Sequence, residues 1–247
     1  MSLLIDGNVA QLTELSEYES SISDVATSEG IDLLAKLSVA RLEITLAIQK
    51  FLLDSIETGY DINNIVVTEG LRQWHLLQTL SVFYRDAYSQ QLNDRYKAKW
   101  QEYGQLATNA SAVYFAIGVG IALSPIPKPQ PPRLAQTVGN QQATTWFVKT
   151  SWTNSKKQES APSTVSAFTT QEGSALTVAC VISAHEVMSW NVYVGLSADM
   201  LVRQNSGPLT IGTTWTMPGE LVTDGRQATS GQGPDTFVKK RNLFRRG

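Results

Sequence analysis

A chain of 247 residues with 42% hydrophobic and 17% charged content has room for two ordinary domains and is too apolar to be disordered. Its single cysteine, Cys180, excludes an internal disulfide framework. The formal net charge of -2 hides a polarity: residues 1–123 hold 8 basic and 15 acidic side chains, near -7, and residues 124–247 hold 12 and 7, near +5. Such a polarity steers oriented association with a second copy or a charged partner, or reflects nothing more than solvated faces.

The opening Met-Ser-Leu-Leu-Ile-Asp6 lacks the basic region and apolar core of a secretory signal, so a chain made and kept in a reducing cytoplasm is expected. From Asp6 to Thr27, Val9, Leu12, Leu15, Ile22, Val25 and Ala26 recur near helical spacing opposite Glu14, Glu17, Glu19 and Asp24, which predicts a short acidic first helix. A second helix is predicted from Gly30 to Gly59, where the apolar stripe of Leu33, Leu37, Ala40, Ile44, Ile48 and Leu52 is broadened by Leu34, Ala47, Phe51 and Ile56. A stripe that wide predicts packing on more than one side. After the turn residues Asp61-Ile-Asn-Asn64, a third helix from about Thr68 carries Leu71, Trp74, Leu77, Leu80 and Phe83. A fourth runs from about Leu92 through Tyr96, Trp100, Tyr103 and Leu106 towards Phe115. The four make a helical bundle with short connections. The longest apolar run, 113–123, falls short of the roughly 18–20 residues that cross a bilayer and reads as a buried helix end, with no membrane partner.

The stretch Ser124-Pro-Ile-Pro-Lys-Pro-Gln-Pro-Pro132 forbids helix and favours polyproline II, so 124–135 is expected to be a semi-rigid linker. Beyond it the period changes to two, predicting strands at 145–153, 164–168, 175–181 and 190–194, with shorter ones near 200–204 and 213–217. Short strands at this spacing predict a β-sandwich over 136–222. The class is therefore α+β in separate domains: a helical bundle over 1–123, a linker, a sandwich, and an extended basic tail over 223–247. In that tail Phe237, Val238, Leu243 and Phe244 interleave with Lys239, Lys240, Arg241, Arg245 and Arg246, a pattern that suits docking onto an acidic, partly apolar surface. A solvated terminus and a sequence-independent contact to phosphates are the other readings.

No catalytic, cofactor-binding or metal-binding constellation is singled out, and an enzyme is not expected. His75 follows Trp74 in a helix and reads as a packing residue. His185-Glu186 opens like a zinc-protease pair, but Ser189 stands where the second histidine is needed. Gly118-Val-Gly120 has no preceding strand, which argues against a phosphate cradle, and Cys180 reads as a small buried hydrophobe.

Two resemblances add expectations. Lys156-Lys-Gln-Glu-Ser-Ala-Pro-Ser163 after an aromatic strand, with Trp190-Asn-Val-Tyr-Val-Gly195, resembles the fibronectin type III family, although the aromatic hairpin comes before the central Trp strand instead of after it. That likeness implies a binding or spacer module. The bundle, with Asp32-Leu-Leu-Ala-Lys-Leu-Ser-Val-Ala-Arg41, Tyr84-Arg-Asp-Ala-Tyr88 and Leu92-Asn-Asp-Arg-Tyr-Lys-Ala-Lys-Trp100, followed by a β module and a tail, resembles the head-to-tail adaptor (connector, neck) proteins of tailed bacteriophages. It implies a structural virion protein that forms a ring, a homododecamer in the family, at the head-tail interface. The ring would link the portal to tail or nozzle proteins and continue the DNA channel beside the packaged DNA, with 237–246 as the portal-docking tail. The alternative is a carbohydrate- or surface-binding virion module that uses Trp146, Trp152, Trp190 or Trp215 as a stacking platform.

Overall fold

Local chemistry sets the helix ends. The structure, a computed structural model, describes residues 1–7, 9–55, 59–92, 94–181 and 187–239. The expected first helix is two, α1 (Leu12–Tyr18) and α2 (Ile22–Glu29), because the chain turns extended at Glu19, whose side chain takes a hydrogen bond from Ser21 Oγ at 2.7 Å. α2 stops at Gly30, in the left-handed region at φ 65°, where the Ile31 N–H reaches back to the Ala26 carbonyl. Asp32 then caps α3 (Leu33–Asp54) by accepting from the Leu34 and Ala35 N–H groups. Thr68 caps α4 (Glu69–Gln91), and α5 (Asp94–Ile117) ends at Gly118, at φ 115°.

The helices come first and the strands follow, so the class is α+β with antiparallel sheets. After a short β1 (Val119–Ile121) come β2 (Arg133–Gln141), β3 (Thr144–Thr153), β4 (Ser166–Thr170) and β5 (Ser174–Ala179). Then follow β6 (Ser189–Gly195), β7 (Val202–Arg203), β8 (Leu209–Thr210), β9 (Thr214–Thr216) and, far along the chain, β10 (Thr236–Val238). One sheet has the order β2-β5-β9; the other has β4-β3-β6-β7, with β8 also paired to β6. Inward residues of both share one core, in which Trp146, Val148 and Trp152 of β3 and Trp190, Val192 and Val194 of β6 meet Leu176 and Val178 of β5 and Trp215 of β9.

Chain packing divides differently from the sequence boundaries at 123, 135 and 222. One unit is Met1–Asp6 with Ser124–Gly233, and the other is Gly7–Leu123 with Pro234–Gly247. The proline stretch belongs to the β unit: Ile126 is buried in the sandwich core, its N–H donates to Gln232 Oε1 at 3.1 Å, and Gln232 Nε2 donates to the Ser124 carbonyl at 3.0 Å. Prolines forbid a helix here, as expected, but an apolar residue between them and a buried glutamine beside them turn the segment into packed structure. β2 is the longest of the strands that patterning missed, beside the short β1, β8 and β10. Eight of its nine residues carry no charge, nearly all are exposed, and it is held by main-chain pairing to β5.

Candidate interaction site

The expected docking segment begins as part of the helical unit. β10 pairs antiparallel with β1 in the register Val119 to Val238, Gly120 to Phe237 and Ile121 to Thr236. Val238 is fully buried, Phe237 is 45% exposed and Lys239 is exposed. Lys240, Arg241, Leu243, Phe244, Arg245 and Arg246 lie outside the described residues. Upstream, the Asp235 N–H donates to the Ile121 carbonyl and its carboxylate accepts from the Leu123 N–H, each at 2.8 Å. On the other edge of β1, Ile65 bridges Ile121 and the Val66 N–H donates to the Gly120 carbonyl at 2.9 Å. β1 is thus the middle of a small sheet, and β10 places Val238 at its edge.

This pairing explains Gly118-Val-Gly120. A Cβ on Gly118 would stand 3.0 Å from the Val238 carbonyl oxygen and 3.2 Å from Phe237 Cβ, at a φ that side chains avoid. A Cβ on Gly120 would stand 3.1 Å from Thr68 Cγ2 and 3.2 Å from Pro234 Cβ. The glycines admit a strand, not a phosphate. Gly120→Val is therefore expected to expel β10 and cost about 2–3 kcal/mol through overpacking. Faster amide exchange at Phe237 and Val238 checks it, and wild-type protection there would refute it.

The second feature is α3. Its inner face buries Leu37, Ala40, Ile44, Ile48 and Leu52. On the opposite side Ala35, Val39, Leu42, Leu46, Gln49 and Leu53 follow one another at steps of four and three, all within about 40° of one line. Leu42 is 60% exposed, Leu46 57% and Leu53 85%. The stripe expected from sequence is the one used within the unit; Val39, Leu42, Leu46 and Leu53, which it did not include, face outward.

The titratable groups are structural joints. His75 is fully buried in α4: Nδ1 accepts from the Ala10 N–H and Nε2 donates to the Leu37 carbonyl, both at 2.9 Å. A carbonyl only accepts and an N–H only donates, so the ring is neutral with its proton on Nε2. Burial pushes its pKa below the ordinary 6.5. Glu19 is opposed by burial, yet Lys99 (2.5 Å), Ser21 and Tyr103 (2.7 Å each) donate to it and hold its carboxyl down at about 2. In the β unit, Glu159 Oε1 accepts from Ser151 Oγ, Tyr193 OH and Asn191 Nδ2, while Arg226 stands 3.5 Å from Oε2. Burial, then Glu159, pushes the Tyr193 hydroxyl up.

The remaining sequence candidates fall as follows. Trp146, Trp152, Trp190 and Trp215 are all core residues, so none offers its face to a glycan. Cys180 is half-buried and its thiol is pushed up to about 11 by burial. His185 and Glu186 lie outside the described residues. Among the described residues no group of three or more His, Cys, Asp or Glu could hold a metal ion, and no helix is long and apolar enough to cross a membrane. The anchored strand and the outward stripe of α3 lay beyond sequence reasoning for different reasons. β10 pairs across more than a hundred residues, and a two-sided apolar helix does not tell which side its own chain covers. No protein-family model matches the chain, and no curated protein matches it.

Proposed function

We propose that the chain is a structural virion protein, a ring-forming head-to-tail adaptor of a tailed bacteriophage that joins the portal to the tail and continues the DNA channel. The observation that carries this reading is the outward stripe of α3. A helix with apolar faces on opposite sides buries only one of them within a single copy, and an exposed apolar seam of that length marks an interaction surface. The helical unit forms the ring, twelve-fold by the family resemblance. The β unit, a fibronectin III-like sandwich with two antiparallel sheets about one aromatic core, meets tail or nozzle proteins. The basic segment 239–246 leaves the ring from β10 and docks on the portal, with Leu243 and Phe244 as apolar anchors among its charges.

Mass photometry and electron microscopy of the purified chain test the ring. A closed species of one size is expected, and a monodisperse monomer at tens of micromolar would sink the reading. The tail role is tested by deleting 240–247, which spares the buried Val238. Deletion from Phe237 would also strip β10 from β1 and confound the result. Loss of portal binding with the ring intact is expected; unchanged portal binding rejects the docking role.

A further inference from the structure

We infer that neighbouring copies meet through the outer stripe of α3 on one chain and the outer face of α5 on the next. This rests on the ring reading and names the surfaces it requires. α4 packs against both α3 and α5, and the C-terminal ends of α3 and α5 lie together through Phe51 and Phe115, stacked at 4.7 Å. Phe51 and Phe115 thus mark the sides of α3 and α5 that face each other. On α3 the side turned away from Phe51 carries Val39, Leu42, Leu46 and Leu53. On α5, Val113 and Ile117 are each two residues from Phe115, which turns them about 160° away from it. They are 59% and 54% exposed, and the exposed Ala112 and Ala116 beside them leave shallow room for leucine side chains.

One chain thus carries two different apolar edges, and they point away from each other. An edge of α3 on an edge of α5 is a heterologous contact, the kind whose repetition closes a ring; α3 on α3 would be two-fold and stop at a dimer. Area decides between these two. From Ala35 to Leu53 the α3 stripe is about 27 Å long and about 10 Å wide, and the apolar edge of α5 from Ala112 to Ile117 covers only about 8 Å of it, so one helix-to-helix contact buries at most on the order of 500–600 Å², no more than about half of what a stable pair needs. A lone dimer on this seam is weak. In a closed ring every copy makes the contact twice, and the ring is the stable species.

The test uses the full chain with Leu42→Glu and Leu46→Glu together on α3, and separately Val113→Glu on α5. All three side chains are exposed within their own copy, so circular dichroism and the melting temperature are expected to stay within a few degrees of wild type, which shows that each variant folds. In mass photometry, at a concentration where wild type is fully assembled, both variants are expected to lose the ring population more than ten-fold in favour of monomer. Assembly of Val113→Glu like wild type, with the α3 variant monomeric, overturns the pairing in favour of α3 on α3. Normal assembly of both overturns the contact and leaves the ring reading standing, whereas a monomeric wild type removes the ring and this contact with it.

Discussion

Glu159→Ala is expected to destabilise the β unit by about 3 kcal/mol or more, a fall of roughly 10–20 °C in its melting temperature. Ser151, Asn191 and Tyr193 are buried, and each directs a donor at the single Oε1 atom of Glu159. With the carboxylate gone, three buried donors lose their shared acceptor in a low-dielectric site. Arg226, which is 61% exposed, rehydrates on its own and adds little. The network continues outward, since Asn205 donates to the Asn191 side chain at 3.0 Å and itself accepts from the Val192 N–H at 2.9 Å, so the loss spreads along β6. Glu159→Gln keeps one acceptor oxygen and the same volume, and should cost about half as much. Tryptophan fluorescence is the readout, because Trp146, Trp152, Trp190 and Trp215 all sit in this unit. An alanine variant that melts within two degrees of wild type would show that the carboxylate is dispensable.

His75 is expected to make the helical unit acid-sensitive over a defined window. Its native pKa lies below the ordinary 6.5 because the ring is buried and because protonated Nδ1 would face the Ala10 N–H, donor against donor. Above pH 6.5 both folded and unfolded chains hold it neutral, and it adds no pH dependence. As pH falls below 6.5 the unfolded chain takes up a proton that the folded chain refuses, so stability drops by up to about 1.4 kcal/mol per pH unit until the native pKa is reached. A second loss follows as pH falls from 4.5 towards 2, where the unfolded Glu19 is protonated while the native one stays ionised against Lys99. Denaturant titrations between pH 7.5 and 5 check the first window. His75→Gln is expected to flatten the slope there, and His75→Leu, which orphans the Ala10 N–H and the Leu37 carbonyl, should cost about 2–4 kcal/mol at every pH. The same slope in wild type and His75→Gln would remove His75 as its source.

Much of the helical half was legible because helix signals are local. The apolar periodicity of 33–52 and 71–83 and the helix starts after Gly30 and near Thr68 are set within a turn or two of themselves. The expected single first helix divides at Glu19, whose side chain is held by Lys99 and Tyr103 some eighty residues away, a contact no local pattern carries. In the β half, strands with an inward apolar row, such as Trp146-Phe-Val148 and Trp190-Asn-Val-Tyr-Val194, were legible. β2 was not, because an edge strand held by main-chain pairing needs no apolar pattern.

The candidate surfaces divide along the same line. That 237–246 mixes apolar and basic side chains, and that the helix from about 30 to 59 carries a wide apolar stripe, is written in the residues. Only tertiary structure decided that Val238 is a buried strand residue on β1, that two glycines make room for it, and that Leu42, Leu46 and Leu53 are left outside while Leu37, Ile44 and Ile48 go in. The physical reason is range. Periodicity and capping are set by neighbours in the chain, whereas strand partners and the choice of which apolar face to bury are set by which distant surfaces have the matching shape. The proline stretch shows both at once: its composition excluded helix, and its role was settled by Ile126 finding the sandwich core and Gln232 finding its backbone.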